Sequence, residues 1–109
     1  MSKLRNQDAD LLFEAVLSLR NPEECYRFFE DICTIKELQS MVQRFQVARE
    51  LNAGRNYIEV SESTGASSAT ISRVNKCLVY GEGGYRLALE RMNASGRLGN
   101  ESKINSEEG

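Results

Sequence analysis

The sequence predicts an all-α fold, and three observations lead to that prediction. The chain of 109 residues contains a single proline, its glycines are concentrated in a few places, and the alternation of apolar and polar residues that marks strands is scarce. Apolar residues recur instead at helical spacing, in long segments separated by short breaks. A chain of this length is expected to form one compact domain.

The first two helices are separated by the only proline. The first helix should stop before Asn21 and Pro22, and its apolar stripe is Leu11, Leu12, Ala15, Val16 and Leu19. Asn21 is expected to cap the second helix, with Pro22 preset for the first helical position and Glu24 completing the start signal. The residues that this helix is predicted to bury are Cys25, Phe28, Phe29 and Ile32.

A long third helix is predicted to begin after Thr34 and to end near Gly54. The Thr34 hydroxyl can accept from the Glu37 amide while the Glu37 carboxylate reaches back, which is the pattern of a capping box. The predicted buried face of this helix consists of Leu38, Met41, Val42, Phe45, Ala48 and Leu51.

Beyond Gly54 the predicted helices are shorter. Asn56 and Glu59 should cap a helix of about two turns that reaches Gly65, and Ser67 should cap a second short helix that ends near Gly81. A last helix is predicted around Tyr85 to Met92. Residues 1–92 are therefore assigned to the folded domain, and residues 93–109, rich in Asn, Ser, Gly and Glu, are predicted to be a disordered tail.

The composition excludes several classes of function. The 14 basic and 16 acidic residues give a formal charge of −2, so any binding of nucleic acid must be local, and the absence of histidine removes the usual general base and metal ligand. We find no catalytic constellation and expect neither an enzyme nor a metal site. Cys25, Cys33 and Cys77 are too widely spaced for a zinc site or a disulfide framework and are expected to be reduced, packed thiols, which favours a cytoplasmic protein without a membrane segment.

The segment from Asn56 to Gly81 has the pattern of a helix-turn-helix. Two short helices are joined at Gly65, and the small residue Ser61 lies four positions earlier, where a large side chain would push the crossing helices apart. Val60, Ala66, Ile71 and Val74 are expected to close a small core. The second helix would then present a surface for the major groove of DNA through Ser67, Ser68, Ala69, Thr70, Ser72, Arg73 and Lys76, with Arg55 as a further DNA-contacting residue.

The pattern alone also fits a helical hairpin in a protein-interaction module. Between Arg55 and Tyr80 the cations exceed the anions by only one, so attraction to phosphate is weak for a single copy. Glu59 and Glu62 on the first helix of the motif would repel the DNA backbone if they pointed towards it. The alternative to DNA binding is therefore an interaction module with weak or no DNA affinity.

The run from Thr64 to Arg73, preceded by the helix that ends at Arg49 to Gly54, resembles the Trp repressor family. Residues 8 to 92 are more closely similar to the Trp-repressor-related YerC/YecD proteins of Gram-positive bacteria. The resemblance implies a six-helix protomer that intertwines with a second copy. Such a homodimer is expected to place two reading helices on a palindromic site in double-stranded DNA and to act as a transcriptional regulator, with repression the expected sign.

The resemblance also implies positions for an effector. Thr34, Arg44 and Arg73 match residues that hold tryptophan in the repressor, where two guanidinium groups can enclose an indole and one can meet a carboxylate. Val74 and Cys77 replace a glycine that makes room for the ligand and a serine near its amine. We therefore expect no cofactor, and a small effector at these positions, tryptophan or another molecule, is the less favoured alternative.

Overall fold

The structure, a computed structural model, describes residues 4–97 and consists of six helices in that part of the chain. The all-α prediction is confirmed. The helices are α1 (Gln7–Leu17), α2 (Pro22–Ile32), α3 (Ile35–Asn52), α4 (Tyr57–Thr64), α5 (Ser68–Tyr80) and α6 (Gly84–Ala94). The chain divides into two compact units, Met1–Gln39 and Ser40–Gly109, and the boundary falls within α3.

The helices of the first unit begin at side-chain caps. Asn6, which the sequence analysis did not identify as a cap, accepts from the Ala9 amide at 2.8 Å. Asn21 accepts from the Glu24 amide at 2.9 Å, with Pro22 as the first residue of α2, as predicted. These contacts satisfy amides that the helix itself leaves without partners.

The capping box at the start of α3 is also confirmed. Thr34 Oγ1 accepts from the Glu37 amide at 3.1 Å, and the Thr34 amide donates to Glu37 Oε1 at 2.8 Å. The pKa of the Glu37 carboxyl is lowered by hydrogen bonding to Thr34, most by the Thr34 backbone amide and next by the Thr34 side chain.

The predicted burial in the first unit is wrong for most of its apolar residues. No residue of α1 or α2 is buried, although the helical spacing is present. Phe28 and Phe29 are half-buried with their rings edge to face at a centroid distance of 5.4 Å, whereas Cys25 and Ile32 are exposed. Helical spacing shows which side chains share a face, but it does not show whether the same chain covers that face.

The second unit has a well-defined core. Its buried cluster is Val47, Ala48, Val60, Ala66, Ile71, Val74 and Leu78, against which Leu51 and Tyr85 pack. Each fully buried aliphatic side chain contributes about 1.5–3 kcal/mol. On α3, the predicted core residue Ala48 is buried, but Met41 and Val42 are exposed, and Val47 takes a core place that the sequence analysis did not assign.

The last helix is slightly longer than predicted. It begins at Gly84, after Gly83 in the left-handed region (φ 84°), and it continues through Asn93 and Ala94. Residues 93 and 94 are thus helical rather than part of a tail. Residues 95–97 form a turn after α6, and the rest of the predicted disordered segment, residues 98–109, lies outside the described residues.

Candidate nucleic-acid interface

The turn of the helix-turn-helix has the predicted backbone geometry. Asn56 and Glu59 form a full capping box at the start of α4. The Glu59 amide nitrogen lies 2.9 Å from Asn56 Oδ1, and the Asn56 amide nitrogen lies 3.0 Å from Glu59 Oε1. Gly65 ends the helix in the left-handed conformation (φ 72°), and its amide donates to the Ser61 carbonyl at 2.9 Å. The positive φ explains why the sequence has glycine at this position.

Ser61 makes a hydrogen bond across the turn that was not predicted from the sequence. Its side chain is exposed and borders an open groove of about 290 Å³, whose lining residues are Tyr57, Ile58, Ser61, Glu62, Ser68 and Ile71. Its hydroxyl donates to the Ala66 carbonyl across the turn at 3.2 Å. Ser61 thus lies where α4 and α5 both line the groove, and the need for a small side chain at this crossing stays a prediction.

The predicted small core of the motif is confirmed. Val60, Ala66, Ile71 and Val74 are each at most 2 % exposed and belong to one buried cluster with Leu78. These residues fix one face of α5 against α4 and the second half of α3. The opposite face of α5 is consequently turned to solvent.

The residues predicted to read DNA lie on that outer face. Ser67 caps α5, and the side chains of Ser68, Ala69, Ser72, Arg73 and Lys76 are exposed, with Thr70 half-buried. The first turn of α5 thus carries small side chains beside backbone amides, and its second and third turns carry one cation each, Arg73 and Lys76. This arrangement can approach a groove closely and donate hydrogen bonds to anionic oxygens.

Glu59 and Glu62 differ in their surroundings on α4. The Glu59 carboxylate is held by the Asn56 amide in the capping box, so it lies back over the start of its own helix. Glu62 is exposed at the groove beside Ser68. Only Glu62 of the two therefore places a negative charge close to the first turn of α5.

Arg55, the other predicted DNA-contacting residue, contacts Glu50 at the end of α3. Its Nη1 atom is 3.5 Å from Glu50 Oε1, and its side chain is 34 % exposed. Its amide also donates to the Glu50 carbonyl at 3.1 Å, which closes the turn between α3 and α4. The structure thus gives the predicted DNA-contacting arginine a structural partner within the chain.

The polar contacts that join α3 to α4 were not predicted from the sequence. Glu50, 6 % exposed, accepts a short hydrogen bond from Ser63 Oγ, and Gln43 Nε2 donates to the Thr64 carbonyl at 3.2 Å. One signal was available: Glu50 lies three residues after Val47, so helical spacing places it on the buried face.

The residues matched to an effector site are found in different surroundings. Thr34 forms the capping box of α3, in the first unit, and its side chain is exposed. In the second unit, Arg44 is half-buried on α3 and Arg73 is exposed on α5. Val74 is 1 % exposed and belongs to the core.

The cysteines differ from the prediction of packed thiols. Cys25 and Cys77 are exposed, and Cys33 has intermediate exposure, although all three are free thiols as predicted. Cys77 follows Val74 by three residues, but at this level of α5 the buried residue is Leu78, and Cys77 is exposed beside it. Among residues 4–97, no cluster of three or more potential metal ligands is found, and no helix is long and apolar enough to cross a membrane.

Two short helices joined at a left-handed glycine, with a solvent-facing second helix, define a helix-turn-helix protein. Residues 7–93 match the family model of the Trp repressor protein. The chain belongs to the Trp repressor family.

Individual relatives support this assignment. The chain is 53 % identical over 92 residues to the uncharacterized protein YerC of Bacillus subtilis, a match that covers 84 % of this chain and 88 % of YerC. It is similar to the crystal structure of a TrpR-like protein from Eubacterium eligens (TM-score 0.81, 52 % identity, 84 % of this chain and 94 % of that one). A Trp repressor candidate from Staphylococcus aureus is equally similar in structure (TM-score 0.81, 49 % identity, 84 % and 91 % of the two chains).

Proposed function

We propose that the protein is a transcriptional regulator, with repression as the expected sign, that reads a palindromic DNA site as a homodimer. The exposed face of α5 carries this proposal. It combines small side chains at a helix N-terminus with Arg73 and Lys76 one and two turns further on. A regulator of this kind acts by occupying its site, and no chemistry is required of it.

The contacts fall into two groups. Ser68, Ala69 and Ser72 are exposed and small, so they suit base edges and thymine methyl groups. Arg73 and Lys76 suit phosphate oxygens, because a long cationic side chain can reach the backbone beside the groove. Ser67 and Thr70 are held in the cap of α5, so we assign them mainly to the positioning of that helix.

The homodimer is supported by the apolar surface of the first unit. Large apolar side chains are exposed along α1, α2 and the start of α3, among them Leu11, Phe13, Leu17, Ile32 and Ile35. Soluble monomers rarely leave so many large apolar groups together in water. A second copy that covers these faces would also double the few cations available for phosphate.

The salt dependence of binding to duplex DNA tests this function. If Arg73 and Lys76 of two protomers meet phosphate, replacing both with Gln should lower the slope of log affinity against log salt by about three to four. A control variant, Arg86→Gln with Arg91→Gln, removes two exposed cations from α6 and should leave the slope unchanged. Equal slopes for all three proteins would contradict the proposed interface.

The alternative is a protein-interaction module, and the apolar groove with Glu62 at its edge favours it. An interaction module would not bind duplex DNA in a salt-dependent, sequence-selective manner. In that case wild-type protein should show no measurable preference among duplexes at moderate salt. The two functions therefore differ in the behaviour of the wild-type protein alone.

A further inference from the structure

Glu50 is the one charged side chain that is buried among the described residues. A buried carboxylate loses much of its hydration, and this loss must be offset by hydrogen bonds or an opposite charge. Glu50 has both. Ser63 Oγ donates to its Oε1 atom, and the Arg55 guanidinium lies 3.5 Å from the same oxygen.

The three residues connect three consecutive pieces of the chain. Glu50 lies in the last turns of α3, Arg55 lies in the loop that follows, and Ser63 lies in the last turn of α4. The Gln43 amide group adds a second contact between α3 and the end of α4, at the Thr64 carbonyl. Both contacts reach α4 immediately before Gly65, where the chain turns into the reading helix.

We infer that Glu50 is a positioning residue for the helix-turn-helix, and that Arg55 acts as its counter-ion rather than as a phosphate contact. The inference rests on the proposed function, because positioning is defined by the DNA that α5 would read. The buried carboxylate holds the end of α4 to α3 through Ser63. The orientation of α5 on the rest of the domain thereby depends on a residue outside the motif.

The contact itself can be tested without DNA. In a double-mutant cycle on the unfolding equilibrium, Ser63→Ala should lower the equilibrium constant for folding about tenfold in the wild-type background, since the hydrogen bond is to a charged group. In the Glu50→Gln background, Ser63→Ala should lower the equilibrium constant for folding by a much smaller factor. An equal decrease of the folding equilibrium constant in both backgrounds would overturn the assignment of Glu50 as the hydrogen-bond partner of Ser63.

DNA binding tests the positioning. Ser63→Ala should weaken binding about three- to tenfold under conditions where the variant is fully folded. The matched control is Ser95→Ala, which removes a serine hydroxyl that donates to the Met92 carbonyl (2.9 Å) at the C-terminal end of α6 and should leave affinity unchanged. Equal affinities of Ser63→Ala and Ser95→Ala would overturn the positioning role.

The salt slope separates a counter-ion from a phosphate contact. Lys76→Gln should reduce the slope by about two in a dimer, whereas Arg55→Gln should weaken binding with the slope unchanged. The neutral pair Glu50→Gln with Arg55→Gln should restore affinity relative to Arg55→Gln alone, because the buried Glu50 carboxylate is then no longer left without its counter-ion. A slope for Arg55→Gln as low as that of Lys76→Gln would overturn the inference.

Failure of the proposed function can be distinguished from failure of the positioning role of Glu50. If the wild-type protein binds no duplex at any salt concentration, the regulator proposal fails, and with it the reading role given to α5. The double-mutant cycle would then still decide whether Glu50 and Ser63 hold α4 against α3.

Discussion

Ser67 and Thr70 are joined by two hydrogen bonds in the first turn of α5. The Thr70 amide donates to Ser67 Oγ at 3.2 Å, and the Ser67 hydroxyl donates to Thr70 Oγ1 at 3.1 Å. The Thr70 hydroxyl is thereby oriented as an acceptor towards the cap. The order of the first turn of the candidate reading helix thus depends on a residue that precedes it.

Removal of this cap should destabilise the domain. Ser67→Ala is expected to lower the free energy of unfolding by about 1 kcal/mol, because the Thr70 amide loses its acceptor. Ser68→Ala, one residue further along, is the control and should change stability by less than about 0.5 kcal/mol, as at other exposed positions. Chemical denaturation followed by circular dichroism measures both values, and similar losses in the two variants would contradict the assignment of Ser67 as the cap.

Replacement of Gly65 should lower the stability of the domain because of its left-handed backbone, not because of a steric clash. At φ 72° an added Cβ would meet no heavy atom within 4 Å in the described part of the chain. Gly65→Ala is therefore expected to lower the free energy of unfolding by about 1–2 kcal/mol, because alanine is disfavoured in the left-handed conformation. Gly84 has equally open surroundings but lies in a helix without a positive φ, so Gly84→Ala should be neutral or stabilising. A larger loss for Gly84→Ala than for Gly65→Ala would contradict this explanation.

The start of α3 should weaken in acid. The pKa of Glu37 is lowered by its hydrogen bonds to Thr34, so the folded state favours the ionised carboxylate. The stabilisation is present above the ordinary pKa of glutamate, about 4.3, and is lost as the pH falls through the lowered value.

Unfolding measured from about pH 6 to pH 3 checks this sign. Wild-type protein should lose more stability over that range than Glu37→Gln, whose side chain keeps an acceptor but does not titrate. Parallel pH profiles of the two proteins would show that the Glu37 carboxylate is not coupled to folding.

The exposed face of α3 should be an interface between two copies. Val42 is 59 % exposed in the single chain, so a charge there would cost little in a monomer but several kcal/mol in a buried contact. In analytical ultracentrifugation, wild-type protein is expected to sediment as a dimer and Val42→Glu as a monomer. Ile58→Glu, a change at a residue on α4 that is 73 % exposed, should remain a dimer. A wild-type monomer, or a Val42→Glu dimer of undiminished stability, would contradict the interface.

Local signals in the sequence predicted the helices and the turn well. Asn21, Thr34, Asn56 and Ser67 each carry a capping signal within three residues, and Gly65 has the one residue type that tolerates its backbone conformation freely. Such features depend on short segments, so they can be recognised without knowledge of the remaining chain.

The burial of side chains was predicted less well, because it depends on which other helices pack against the apolar face of each helix. Ile71 and Val74 face helices of their own unit and are buried, whereas Ile32 and Val42 have the same apolar character and are exposed. The Glu50 contact was missed for a related reason. Its partner Ser63 is 13 residues away, and residue type alone does not indicate such a pairing.

The most direct test of the account is selection from a randomised duplex library by the purified protein at moderate salt, followed by sequencing of the retained DNA. The account predicts an enriched inverted repeat whose half-sites lie about one helical turn of DNA apart, as two reading helices of a dimer require. Retention without enrichment, or no retention by a folded dimer, would contradict a sequence-reading regulator.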